Sequence, residues 1–186
     1  MSTPSRTPGK TPGRTVVIGL GGDARGDDAA GLEVVRLLRD TLPPSVAVVE
    51  NAGDPAELID SWTGTDLAIV IDAVSSGAAP GTVHRHTDIA GVAGVAGVAS
   101  WHGSSHSFGL ADAIDLGRAL GRLPGELVVL GIEGDDFTIG APMTPPVRAA
   151  VRHMADAMRT LFYAPKVPGR CHRWDAFRCS GDGDGP

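Results

Sequence analysis

Short, continuous apolar runs punctuate the chain, and they constrain its fold more than any other feature. Thr15-Val16-Val17-Ile18-Gly19-Leu20, Val46-Ala47-Val48-Val49-Glu50, Leu67-Ala68-Ile69-Val70-Ile71-Asp72 and Leu127-Val128-Val129-Leu130-Gly131-Ile132-Glu133 are rich in β-branched residues. They lack the apolar–polar alternation of a half-exposed strand. Strands buried on both faces have this composition, and they occur in parallel sheets covered by helices. The segments between them carry helical signals. Residues 29–41 place Leu32, Val35 and Leu38 on one side, and Pro43-Pro44 stops the helix. Asp54-Pro55 opens a short helix through Trp62, with proline at the first helical position. A further helix is expected from about Ser105 to Leu120. Over residues 143–162, Met143, Val147, Val151, Met154, Met158 and Leu161 recur at steps of three and four. Strand and helix alternate, so the expected fold is α/β, a three-layer sandwich with a mostly parallel twisted sheet and helices on both faces.

The 186 residues suffice for one such domain with a proper core. Aromatic residues are only 4%, so Ala, Val, Leu and Gly carry the apolar packing, which suits close sheet–helix contact. Residues 1–14 are rich in Pro, Thr, Ser and Gly and read as a disordered arm without the apolar stretch of a secretory signal. Residues 15–162 are expected to form a single α/β domain, and 163–186 a disordered tail. Thr82 to His86 reads as an extra edge strand, and the Gly-Val-Ala repeat over 90–99 as a mobile loop. The net charge of −6 implies no basic face, so nucleic acid is not an expected partner. No apolar run reaches the length of a membrane span. Both cysteines, Cys171 and Cys179, fall in the tail, so no disulfide framework is expected and a cytoplasmic location is the default. A monomer is expected.

Chemistry-bearing residues collect where strands run out. Asp27-Asp28 follow the glycines after the first strand, Asp72 closes the third, and His106 stands in Ser104-Ser105-His106-Ser107-Phe108-Gly109-Leu110. Open parallel sheets bind ligands beyond the carboxyl ends of their strands. Two carboxylates and an imidazole there suit a borderline metal ion. Each residue also has a plainer reading. One aspartate of the pair can cap a helix, Asp72 can bond a turn through Ser75 or Ser76, and His106 can be a solvated first-turn residue. Glu133 either supports this rim or caps a loop. His102 lies four residues before His106 in the same glycine-rich stretch. Gly19-Leu20-Gly21-Gly22-Asp23-Ala24 is similar to a dinucleotide fingerprint, but two acids next to a pyrophosphate site are electrostatically unfavourable. Cys171-His172 with Cys179 lacks the second paired element of a zinc site.

In order and spacing these motifs resemble the hydrogenase maturation proteases, which trim the C-terminus of the nickel–iron hydrogenase large subunit. The resemblance runs from about residue 15 to 162. It rests on Gly19-Leu20-Gly21, Asp27-Asp28-Ala29-Ala30-Gly31, Ile71-Asp72-Ala73, Pro80-Gly81-Thr82, Ser104 to Asp112 and Gly131-Ile132-Glu133. It implies an endopeptidase that removes the C-terminal extension of a large-subunit precursor after nickel insertion. Asp28, Asp72 and His106 would recognise the nickel, which the substrate supplies rather than the protein. Asp28 and Asp72 are also the expected catalytic residues, with Gly21, Gly22 and Asp27 against the substrate. Gly22 stands where relatives usually carry Asn, and Gly134 where Pro is common. The alternative is a nickel-dependent chaperone that holds the large subunit without cutting it. A nucleotide-binding protein using the Gly19 loop ranks third.

Overall fold

The structure is a computed structural model that describes residues 14–86 and 105–163. In chain order it contains β1 (Thr15–Leu20), a 3-10 turn (Gly26–Ala29), α1 (Ala30–Leu38), β2 (Val46–Asn51), α2 (Pro55–Trp62), β3 (Leu67–Val74), β4 (Val83–His86), α3 (Ser105–Ala119), β5 (Glu126–Glu133) and α4 (Pro145–Tyr163). One five-stranded sheet has the order β2-β1-β3-β5-β4. Every pairing is parallel except β4 with β5, so β4 is an antiparallel edge strand.

The three layers follow from the period-two alternation of strand side chains. Ile69, Ile71, Ala73, Val128, Leu130 and Ile132 face α1 and α4, which contribute Val34, Val35, Leu38, Val147, Val151 and Met154. Val16, Ile18, Leu20, Val70, Val74 and Val129 face α2 and α3, which contribute Leu58, Trp62, Leu110 and Ile114. Because both faces are covered, the central strands are apolar apart from Asp72 and residues at strand ends, and all eight residues of β3 are buried. Each such aliphatic side chain contributes roughly 1.5–3 kcal/mol by leaving water.

Three element boundaries differ from the sequence reading by two residues or more. α1 ends at Leu38, before the prolines, because Thr41 Oγ1 donates to Leu38 O at 2.9 Å and Asp40 turns left-handed with φ 61°. β3 continues two residues past Asp72, since its register with β5 persists to Val74 and Glu133. α4 starts at Pro145, because Thr144 serves as the residue before it, its carbonyl accepting from Arg148 N at 3.0 Å. α2 is capped as expected, with Asp54 Oδ1 accepting from Glu57 N at 2.9 Å and Pro55 in the first turn. The 90–99 loop, His102, both cysteines and most of the two terminal segments lie outside the described residues.

Candidate active site

β1 lies between β2 and β3. The chain leaves β1 toward one edge and returns across it to form β3, so the sheet changes direction between these two strands. Open α/β sheets bind ligands in the crevice outside the carboxyl ends of their strands at such a switch point. The segment after β1 is pressed down onto this crevice. A Cβ on Gly31 would collide with the carbonyls of Ile71 and Leu20, and one on Gly21 with the carbonyl of Asp28. Gly21 also has φ 147°, which a residue with a side chain rarely adopts. These contacts bring the 3-10 turn against the ends of β1 and β3, where Asp28 is 1% exposed. Gly22 is half-buried, and its carbonyl accepts from Arg25 N at 3.3 Å to close the turn.

Asp72 is fully buried and pairs with Gly131 in the sheet register. It shares the face of Val70 and Val74, so its side chain points toward the α2/α3 layer. Its Oδ1 accepts from Ala73 N at 2.9 Å. His106 stands in the first turn of α3. That end of α3 is set at the same rim, because Gly109 packs on the carbonyl of Gly53 just beyond β2, where a side chain would not fit. Asp28 and Asp72 are therefore both buried at the carboxyl edge of the sheet, and the helix bearing His106 starts on the face that Asp72 shares. The His106 side chain is outside the described part of the structure. Among the described residues no group of three or more His, Cys, Asp or Glu side chains is placed to hold a metal.

Neither aspartate of the pair is a helix cap: the residues before the 3-10 turn and α1 are Arg25 and Ala29. Asp27 bonds within the domain. Its side chain is fully buried and turned inward. Oδ2 accepts from Asp135 N at 2.9 Å, Asp136 N at 3.1 Å and Thr144 Oγ1 at 2.9 Å, and Oδ1 accepts from Thr144 N at 2.7 Å. Asp27 N in turn donates to Asp136 O at 2.8 Å. One carboxylate thus pins the connection from β5 to α4 against the turn that carries Asp28.

Glu133 resolves in favour of holding a loop. Its carboxylate accepts from Ser76 N, Ser76 Oγ, Gly77 N and Ala78 N and contacts His84 Nε2 at 3.0 Å. Burial pushes its carboxyl up, but the bonds from Ser76, Gly77 and His84 outweigh this and hold it below the usual range. Thr144 and His84 were not singled out from the sequence, and Ser76, named there as a turn partner for Asp72, bonds Glu133. Their partners lie 49 to 117 residues away, and no local spacing signals such bonds.

Outside the rim, Arg36 draws three acids together. It bonds Asp23 at 2.5 Å, Glu33 at 2.9 Å and Glu50 at 2.7 Å, while Arg39 also pairs with Glu50. The hydrogen bonds from Arg36 lower the carboxyls of Asp23 and Glu50 below their ordinary value.

Carboxylates gathered at a strand-end crevice have two chemical uses. They can offer oxygen donors to a divalent ion, or one can act as general base toward a water molecule.

Comparison with known proteins specifies the context. The family model HycI, described as hydrogenase maturation protease, matches residues 32–160. The hydrogenase expression/formation protein HupD of Bradyrhizobium diazoefficiens is 28% identical over 144 residues, spanning 76% of this chain and 73% of that protein. The fold is shared with the hydrogenase maturating endopeptidase HybD from E. coli, with a TM-score of 0.67 and 27% identity over 78% of this chain and 89% of that one. It is also shared with the [NiFe] hydrogenase maturation protease HybD from Thermococcus kodakarensis, with a TM-score of 0.63 and 25% identity over 80% and 99% of the two chains. A family match across most of the folded region, joined to the same fold in solved endopeptidases, establishes that this chain belongs to the hydrogenase maturation protease family and is a peptidase.

Proposed function

We propose that this protein is the endopeptidase that removes the C-terminal extension of a nickel–iron hydrogenase large-subunit precursor once nickel has been inserted. The observation that carries the reading is the burial of Asp28 and Asp72 at the carboxyl edge of the sheet, in a chain of this family. Two buried carboxylates at the same edge of an open α/β sheet, where such sheets bind their ligands, support a ligand-directed role. In this reading Asp28, Asp72 and His106 recognise the nickel held in the substrate. Oxygen and nitrogen donors complete the coordination of such an ion. The nickel then marks a loaded precursor and docks the scissile bond.

Hydrolysis adds water across one peptide bond, leaving a new carboxylate on the large subunit and an amine on the released peptide. An aspartate at the rim takes the proton of the attacking water as general base. Gly21 and Gly22 keep the loop over the crevice low, so that a substrate backbone can approach. Asp27 acts from behind by fixing the turn.

Nickel-loaded and nickel-free precursors incubated with the protein, with the large-subunit mass followed over time, test the reading. Loss of a C-terminal peptide from the loaded form alone is expected. Nickel-dependent association without any change in mass would overturn the protease assignment in favour of a chaperone.

A further inference from the structure

A groove of about 420 Å³ opens beside the active-site turn, between α1 and α4. Gly26 and Ala29, the first and last residues of the turn that carries Asp28, line one end. Met143, on the connection that Asp27 pins, and Leu37 of α1, 39% exposed, give it apolar surface.

Its charge is unevenly settled. The acidic groups on the α1 side, Asp23 and Glu33, are already bonded to Arg36. On the α4 side stand Arg148 and Arg152. Arg148 Nη2 donates to Met143 O at 3.0 Å, which holds the groove wall. Yet among the described residues neither arginine has a carboxylate within ion-pair distance, whereas Arg36, Arg39, Arg118, Arg122 and Arg159 each do. The pair is also unfavourable for its own helix. Like charges four apart on a helix repel. Arg148 also lies near the positive end of the α4 dipole, with no acid in the first turn to offset it. An anion in the groove would relieve both effects.

We infer that this groove is the subsite for the substrate's C-terminal extension, bound as an extended chain with a carboxylate on Arg148 and Arg152. The inference rests on the protease reading above. A groove of this size admits a few residues of chain and not a folded body. The extension is a chain segment, and its terminus supplies a carboxylate whatever its sequence. Arginine and carboxylate form a strong charge-assisted pair.

Steady-state cleavage of the nickel-loaded precursor, compared for wild type, Arg148→Glu/Arg152→Glu and Arg148→Gln/Arg152→Gln, tests it, together with binding of a synthetic peptide of the extension's sequence. Charge reversal is expected to raise KM by about tenfold, the order of one lost charge-assisted contact, with a smaller rise for the glutamines. The peptide should bind wild type and Asp28→Ala alike but not the reversal variant. Thermal unfolding of the reversal variant should stay close to wild type, because the substituted residues are exposed and an acid near the helix start suits its dipole. Normal cleavage with unchanged KM, or equal peptide binding by wild type and the reversal variant, would overturn the groove and leave the protease reading standing. Peptide binding lost on charge reversal, in a wild type that cleaves nothing, would overturn the protease reading and leave the groove standing.

Discussion

At Asp27 one buried carboxylate satisfies three backbone amides and a hydroxyl from the connection after β5. Asp27→Ala leaves those donors unmet in a dry environment, and a loss of about 3 kcal/mol is expected from urea unfolding. Asp27→Asn retains one acceptor oxygen and should lose less stability. If Asp27 instead faced substrate, both variants would unfold like wild type. Gly31 makes a second residue-scale test. Its contact with the Ile71 and Leu20 carbonyls leaves no space for a methyl, so Gly31→Ala must lift α1 and should cost on the order of 1–3 kcal/mol in the same measurement. Wild-type stability in Gly31→Ala would contradict the packing described. At this scale the sequence was legible only where a residue broke a pattern. Asp72 stands out because a charge interrupts an apolar run. The clamp of Asp27 does not, because its main partners are backbone amides, which every residue carries, more than a hundred positions away.

At the scale of elements, the central strands were readable because burial on both faces leaves them apolar but for Asp72 and their ends. The ends were less so. α1 stops where Asp40 takes a left-handed conformation that no glycine announced, and α4 waits for Thr144, which Asp27 holds. The turn after β3 is organised by Glu133 at the end of β5, a neighbour in the sheet but not in sequence. Its carboxyl is held below the ordinary value of 4.5. A depressed folded value means that the stabilisation is complete above the unfolded value and is lost as pH falls through the folded one. Glu133→Gln should therefore be less stable than wild type by about 2 kcal/mol near pH 7, the gap closing only below about pH 4.5. Chemical denaturation across pH checks this, and a gap independent of pH would show that the ionised form contributes nothing.

At the scale of the whole molecule, the order β2-β1-β3-β5-β4 decides where chemistry can happen. Alternating strands and helices implied a parallel sheet, but local sequence does not encode which strands are neighbours. Placing β5 between β3 and β4 is a long-range outcome of packing α1 and α4 on one face and α2 and α3 on the other. That order puts the ends of β1 and β3 side by side, so Asp28 and Asp72 lie at the same edge of the sheet from positions 44 residues apart in the chain. The direct test of the account is the mass of the nickel-loaded large-subunit precursor after incubation with wild type, Asp28→Ala, Asp72→Ala or His106→Ala. The account predicts that wild type releases a C-terminal peptide and that each variant leaves the precursor intact. Full-rate cleavage by Asp28→Ala or Asp72→Ala would contradict it.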